Sequence, residues 1–256
     1  MAENSKIEWT DHTFNPWVGC TKISVGPLGA CEQCYAESWA KRTGNPDLWN
    51  GLRRRTTAVN WRQPLKWNAE AATNGTRPRV FCASLADVFD NAVPDEWRAD
   101  LWKLIRQTPH LQWLLLTKRI GNAYTMLPED WGIDGWRHVA IGATIASQPE
   151  MARDVEKLRR LPAWGRFISF EPLLGPIEFG RYGALHGIHW AIVGGESGPR
   201  ARPMELAWVV RLHEQCKARG IAFFMKQGSQ ANWPRFKSFE EFLPAIRVRE
   251  FPRFAA

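Results

Sequence analysis

Short, nearly continuous apolar runs recur along the chain: RVFCASL (79–85), QWLLLT (112–117), HVAIGAT (138–144), RFISF (166–170), HWAIV (189–193) and AFFMK (222–226). Each is bounded by Gly, Pro or charge. Strands buried on both faces of a parallel sheet carry this pattern, whereas half-buried strands alternate. The run at 14–19 is an earlier and weaker strand candidate.

Helical periodicity fills the gaps. Over 94–107, Trp97, Leu101, Leu104 and Ile105 share one face, and Pro with two acids opens the first turn. Over 147–160, Ser147 and Glu150 have capping-box spacing, with Arg159 and Arg160 near the other end. A third helix over 203–219 stops before Gly220, a C′ glycine. Strand starts repeat every 23 to 33 residues, the length of one βα unit. The expected fold is α/β: a single parallel βα barrel over 1–256, partial, with six to seven strands. An open doubly wound sheet is the alternative.

In both architectures ligands bind at the C-terminal ends of the strands. Here those ends are polar. They lead into Ser84 and Asp87, into Thr117, Lys118 and Arg119, into Thr144, into Glu171, into Gly194-Gly195-Glu196-Ser197-Gly198, and into Lys226 and Gln227. The two glycines permit close approach of a ligand, and Glu196 offers an acceptor to an amine or to ribose hydroxyls. A tight strand-to-helix turn explains the same glycines.

Three of five cysteines crowd together: Cys20, then ten residues, then Cys31 and Cys34 two residues apart. The loop between them contains Gly26, Pro27 and Gly29, which lets it turn back. Three thiolates suit an iron–sulfur cluster with one open iron, or a zinc completed by His12 or water. Cys82 lies in a strand and Cys216 at an apolar helical position, so both read as core residues, although either can supply a fourth ligand.

Charge changes the picture in one place. Nine of the basic residues fall within 41–79 against two acids, Asp47 and Glu70, so this stretch holds +7 of a net +8. It reads as a basic insertion with Trp49, Trp61 and Trp67 interleaved. Arg53, Arg54 and Arg55, with Trp61, are the candidate contacts to a phosphate backbone and an unstacked base. The competing reading pairs the arginines with acids and packs the tryptophans inward. Of the chain's 15 tryptophans, most are expected in the core. No run reaches the roughly 18 apolar residues that cross a bilayer, and the first ten positions have no apolar core of a secretory signal. The expected location is the cytoplasm, with no membrane partner.

The stretches IEWTDHTFNPWVGC, CEQCYAE, LLLTKR, FISFEPLLGPI, WAIVGGESGPRARPM and FFMKQ together resemble a phage and prophage protein family of uncharacterised function. That family carries the three-cysteine motif and is grouped with the radical S-adenosylmethionine superfamily, whose barrel also has three cysteines after its first strand. The resemblance implies a [4Fe–4S] cluster on Cys20, Cys31 and Cys34, chelation of S-adenosylmethionine by the open iron, an external electron donor, and a 5′-deoxyadenosyl radical. It implies cofactor contacts from the strand ends, for which Ser84, Asp87, Thr117, Lys118, Glu171, Gly194, Gly195 and Glu196 are the candidates. The superfamily usually has three residues between its first two cysteines and a Gly-Gly-Glu after its second strand. This chain has ten, and its Gly-Gly-Glu follows a late strand, so Glu196 rests on its position alone. A DNA base or nucleotide is the preferred substrate, for the phage host and the basic segment. The alternatives are a nucleic-acid-binding protein with a structural zinc and an iron–sulfur protein that does not use S-adenosylmethionine.

Overall fold

The computed structural model describes residues 3–180, 185–233, 239–252 and 254. Among these residues, nine strands and six α-helices follow one another. They are β1 (His12–Phe14), β2 (Trp17–Val18), α1 (Tyr35–Arg42), β3 (Arg54–Arg55), α2 (Ala58–Asn74), β4 (Arg79–Cys82), α3 (Asp95–Arg106), β5 (Gln112–Thr117), α4 (Ile120–Met126), β6 (Val139–Thr144), α5 (Gln148–Arg160), β7 (Gly165–Phe170), β8 (Trp190–Gly194), α6 (Leu206–Lys217) and β9 (Ala222–Gln227).

Seven strands form one sheet in the order β1-β4-β5-β6-β7-β8-β9. Each strand joins beside its predecessor, and the order never reverses. A doubly wound sheet needs such a reversal; its absence gives a partial parallel βα barrel. β2 and β3 form a separate antiparallel pair, Trp17 opposite Arg55 and Val18 opposite Arg54.

The chain divides into two compact units. The first comprises Met1–Lys22, Ala36–Ile141 and Pro162–Trp164. It holds the parallel ladders of β1 with β4 and of β4 with β5. Trp113 of β5 is fully buried, with its indole N–H donated to Thr108 at 3.0 Å. On α3, Asp95 and Glu96 in the first turn and Arg106 in the last complement the helix dipole, while Leu101, Trp102, Leu104 and Ile105 are buried.

The second unit comprises Ile23–Tyr35, Gly142–Leu161 and Gly165–Ala256. It holds the parallel ladders of β7 with β8 and of β8 with β9. On α6, Val209, Leu212 and Cys216 recur at helical spacing and are buried. Residues 248–250 run antiparallel along β9: Arg249 bridges Phe224, and the N–H of Met225 donates to the Val248 carbonyl at 2.8 Å.

One expectation changes. Ser147 stands at the N-cap of α5 with extended backbone, but its side chain makes no cap bond. Glu150 reaches back instead to the N–H of Ala146 at 2.6 Å and accepts the Ser24 hydroxyl. Within the basic stretch, Ala58–Asn74 form α2, capped by the Thr57 hydroxyl. Trp49 and Trp67 are core residues there, in keeping with the nine of fifteen tryptophans that are buried.

Candidate active site at the strand ends

In the first unit, the chain leaving β1 and β4 is tied together by Asn15. Its amide donates to Ser84 Oγ at 3.0 Å and accepts the Leu85 N–H at 2.8 Å. Asp87 is buried and accepts the Thr117 hydroxyl at 2.6 Å and the Lys118 N–H at 3.0 Å. Asp87, Thr117 and Lys118 are therefore brought together through the Asp87 carboxylate, and Ser84 is held by Asn15. Arg119, one residue on, is also buried. Its Nη1 donates to Cys20 Sγ at 3.3 Å and its Nη2 to the Thr21 carbonyl at 2.8 Å. Burial pushes the Cys20 thiol up, and the Arg119 guanidinium offsets part of that rise.

His12 begins β1, at the far end of that strand from the chain that leads to Cys20. Its ring stacks on Trp67 with centroids 4.3 Å apart, a packing role that replaces the expected zinc role. Cys82 and Cys216 are fully buried core thiols, as their sequence contexts indicate.

In the second unit, the cysteine loop is built by its own backbone. The Cys31 N–H donates to the Ser24 carbonyl at 2.7 Å, and Glu32 accepts the Gly26 N–H at 2.8 Å. A Cβ on Gly29 would lie 2.6 Å from the carbonyl oxygens of Ser24 and Val25, so only glycine permits this return. Cys31 is buried and Cys34 half-buried. All five cysteines are free thiols. Among the described residues, no group of three or more His, Cys, Asp or Glu side chains is gathered to hold a metal ion. As a donor set, three soft sulfurs suit an iron–sulfur cluster.

The ends of β7, β8 and β9 in this unit carry Glu171, Gly194, Gly195, Glu196 and Lys226. Lys226 donates to the Glu171 carboxylate. Gly194 lies beside Glu171, since its Cβ would sit 3.4 Å from Glu171 Cγ. Glu196 is buried and held by Arg202, whose Nη2 and Nε donate at 2.5 and 3.0 Å and whose backbone N–H donates at 2.9 Å. That neighbour, six residues away, takes up the acceptor capacity expected to meet an amine or ribose. Thr144 at the end of β6 is different, because its hydroxyl is buried and has no hydrogen-bond partner among the described residues. A buried hydroxyl without a partner costs about 1–3 kcal/mol, so this strand end offers a polar contact still to be made.

The basic run separates into three roles. Arg53 is buried, pairs with Asp90 at 2.6 Å and donates to Thr21 Oγ1 at 2.8 Å, so its charge is spent inside the protein and not on a phosphate. Arg55 pairs with Asp100 at 2.6 Å and covers one face of Trp61 at 4.4 Å. Trp61 is half-buried, with its edge against Phe14. Arg54 is exposed, and its guanidinium donates to Asn45 Oδ1 at 2.9 Å. Asp90 and Arg119 escaped the sequence reading as partners, because ion pairs between distant loops leave no local pattern; Arg202 escaped it although only six residues separate it from Glu196.

No curated protein matches the sequence. Among solved structures, the fold matches a complex of spore photoproduct lyase with dinucleoside spore photoproduct at a TM-score of 0.53 and 12% identity. It also matches a double mutant of that lyase with bound AdoMet and dinucleoside spore photoproduct, at 0.51 and 13%. Each match covers 86% of this chain and 77% of the other. At such identities the likeness is one of fold. No helix among the described residues is long and apolar enough to cross a membrane. The family model described as "Protein of unknown function (DUF5131)" matches residues 4–242, and the chain belongs to that family.

Proposed function

We propose that this protein is a radical S-adenosylmethionine enzyme acting on a DNA base or nucleotide, as in phage-type DNA modification. The observation that carries this reading is the shared fold with a lyase that binds AdoMet and a dinucleoside, in a chain whose three clustered thiols follow the first strand. Cys20, Cys31 and Cys34 would hold a [4Fe–4S] cluster. That cluster, given one electron from an external donor, supplies the reductive cleavage of S-adenosylmethionine that yields a 5′-deoxyadenosyl radical.

The chain's own residues bind, orient and exclude water. Thr144 has an unsatisfied hydroxyl to give to the cofactor. The Glu171–Lys226 pair, each side chain 20% exposed, presents a carboxylate and an ammonium at the ends of β7 and β9, the two strands that flank β8. Ser84, Asp87, Thr117, Lys118, Gly194, Gly195 and Glu196 shape the polar rim. For Gly195 and Glu196 this role is indirect, through the turn and Arg202. Phosphate contact falls to Arg54, with exposed Lys41 and Arg42 on α1. Protein reconstituted anaerobically with iron and sulfide should contain about four of each per chain. With dithionite and S-adenosylmethionine it should then release 5′-deoxyadenosine. Reconstituted protein that binds stoichiometric zinc and releases none would overturn the reading in favour of a zinc-stabilised nucleic-acid-binding protein.

A further inference from the structure

Two buried guanidiniums hold the segment from which the cysteine loop departs. Arg119 bonds the Cys20 sulfur and the Thr21 carbonyl, at 3.3 and 2.8 Å. Arg53 bonds the Thr21 hydroxyl at 2.8 Å. Behind them stand two buried carboxylates: Asp87 lies 3.6 Å and Asp90 3.8 Å from Arg119, and Asp90 lies 2.6 Å from Arg53. The four charges cancel formally, but they are not randomly oriented. The carboxylates point at the Thr117 hydroxyl and at the N–H groups of Lys118, Phe89 and Ala92. Arg53 Nε also donates to Asp90, at 2.8 Å, and its Nη1 to the Leu52 carbonyl, whereas the Nη1 and Nη2 groups of Arg119 point at Cys20 and Thr21. The buried Arg119 guanidinium therefore faces the half-buried Cys20 sulfur, where such an interaction is less screened than in open water.

We propose that Arg119 is a positioning residue for Cys20 and sets the redox potential of the cluster bound there. The inference rests on the cluster reading above. Reduction adds one electron from the external donor to a cluster that three thiolates already make anionic. No bond forms or breaks and no proton moves. A charge-assisted N–H···S bond strengthens as negative charge on the sulfur grows, so Arg119 favours the reduced form and raises the potential.

The test is a redox titration of reconstituted protein, following the reduced cluster by electron paramagnetic resonance. In Arg119→Gln, the ratio of reduced to oxidised cluster at a fixed potential should fall on the order of tenfold, which is 59 mV more negative for a one-electron couple. Arg119→Lys keeps the charge and should restore most of the shift. Asp87→Asn removes a carboxylate facing Arg119 while keeping its shape, and should move the potential the opposite way. A merely structural clamp would lower cluster occupancy without moving the potential of the clusters that remain, and an unmoved potential in Arg119→Gln overturns the inference while leaving the cluster reading intact. If Arg119→Gln retains no iron, Asp87→Asn decides, a positive shift supporting and no shift overturning. Parent protein that binds no iron overturns both.

Discussion

Gly195 packs so closely on Ser229 that a Cβ at position 195 would lie 2.3 Å from the Ser229 backbone nitrogen. The two segments are also joined by hydrogen bonds, Gly195 N–H to the Gln227 carbonyl at 2.9 Å and the Gln227 amide to the Gly195 carbonyl at 2.8 Å. The space at Gly195 is therefore occupied by the chain leaving β9 and not kept for a ligand. Gly195→Val should destabilise the fold by at least the roughly 1–3 kcal/mol of an overpacked core, because backbone must move. Gly194→Ala, whose nearest contacts would be at 3.4 Å, should cost much less. Denaturant midpoints of the two variants check this, and equal stabilities would refute it.

Arg53 and Arg54 are adjacent in sequence and opposite in role. Arg53→Met should leave Asp90 buried and short of a partner, at a cost of about 3 kcal/mol, the lower end for a broken buried pair because Arg119 remains near. Arg54→Ala should change stability by no more than about 0.5 kcal/mol. If Arg54 meets a phosphate, the variant's log–log salt dependence of DNA binding should be shallower by about 0.9. Thermal melts beside filter binding at several salt concentrations separate the two residues.

The five cysteines should divide by chemistry. Burial pushes the Cys216 thiol up to about 12 and the Cys82 thiol higher still. Neither should react with iodoacetamide in the native protein near pH 8, since the thiolate is the nucleophile. Cys216→Ala should keep its iron, whereas Ala at Cys20, Cys31 or Cys34 should lose most of it. Iron retained by all three single variants would count against the cluster.

Stability should fall on acidification from about pH 7 to 5. Burial depresses the proton affinity of His138 in the first unit, with Arg77 adding to it against the opposing bond to the Ile105 carbonyl. Burial does the same at His189 in the second unit. Unfolded imidazoles take a proton near 6.5, and these folded ones only at lower pH. In that window the unfolded state binds more protons, so stability is lost as pH drops through it and the loss levels off below the folded values. His138→Gln should flatten the dependence; a urea midpoint with the same pH slope as the parent would contradict this.

The strands were legible because burial on both faces forces continuous apolar runs. β5 occupies the expected positions, and β4, β6, β7, β8 and β9 begin or end within three residues of them. The helix α2 was not legible, although Thr57 and Gly75 flank it as caps. Pro64 interrupts its interior, and its buried positions Asn60, Pro64, Trp67 and Ala71 include too few apolar residues to show a stripe. At the site, the polar strand ends were visible one by one. What joins them was not: Arg119 to Cys20 spans 99 residues and Arg53 to Asp90 spans 37. Pairings at that range are decided by tertiary packing, which no local spacing records.

The strip of chain laid antiparallel on β9 has a consequence for solubility. An outer strand offers a row of backbone donors and acceptors to any other extended chain, and such rows seed intermolecular sheets. Here Val248 accepts the Met225 N–H, Glu250 donates its N–H to Phe223, and the Glu250 carbonyl takes the indole N–H of Trp190 at 2.9 Å. The strip thus acts as a selvedge, finishing the woven edge so that it does not catch on its neighbours. A chain cut before residue 247 would keep the strand-end cluster of the first unit and lose this border, and its characteristic failure would be self-association through β9.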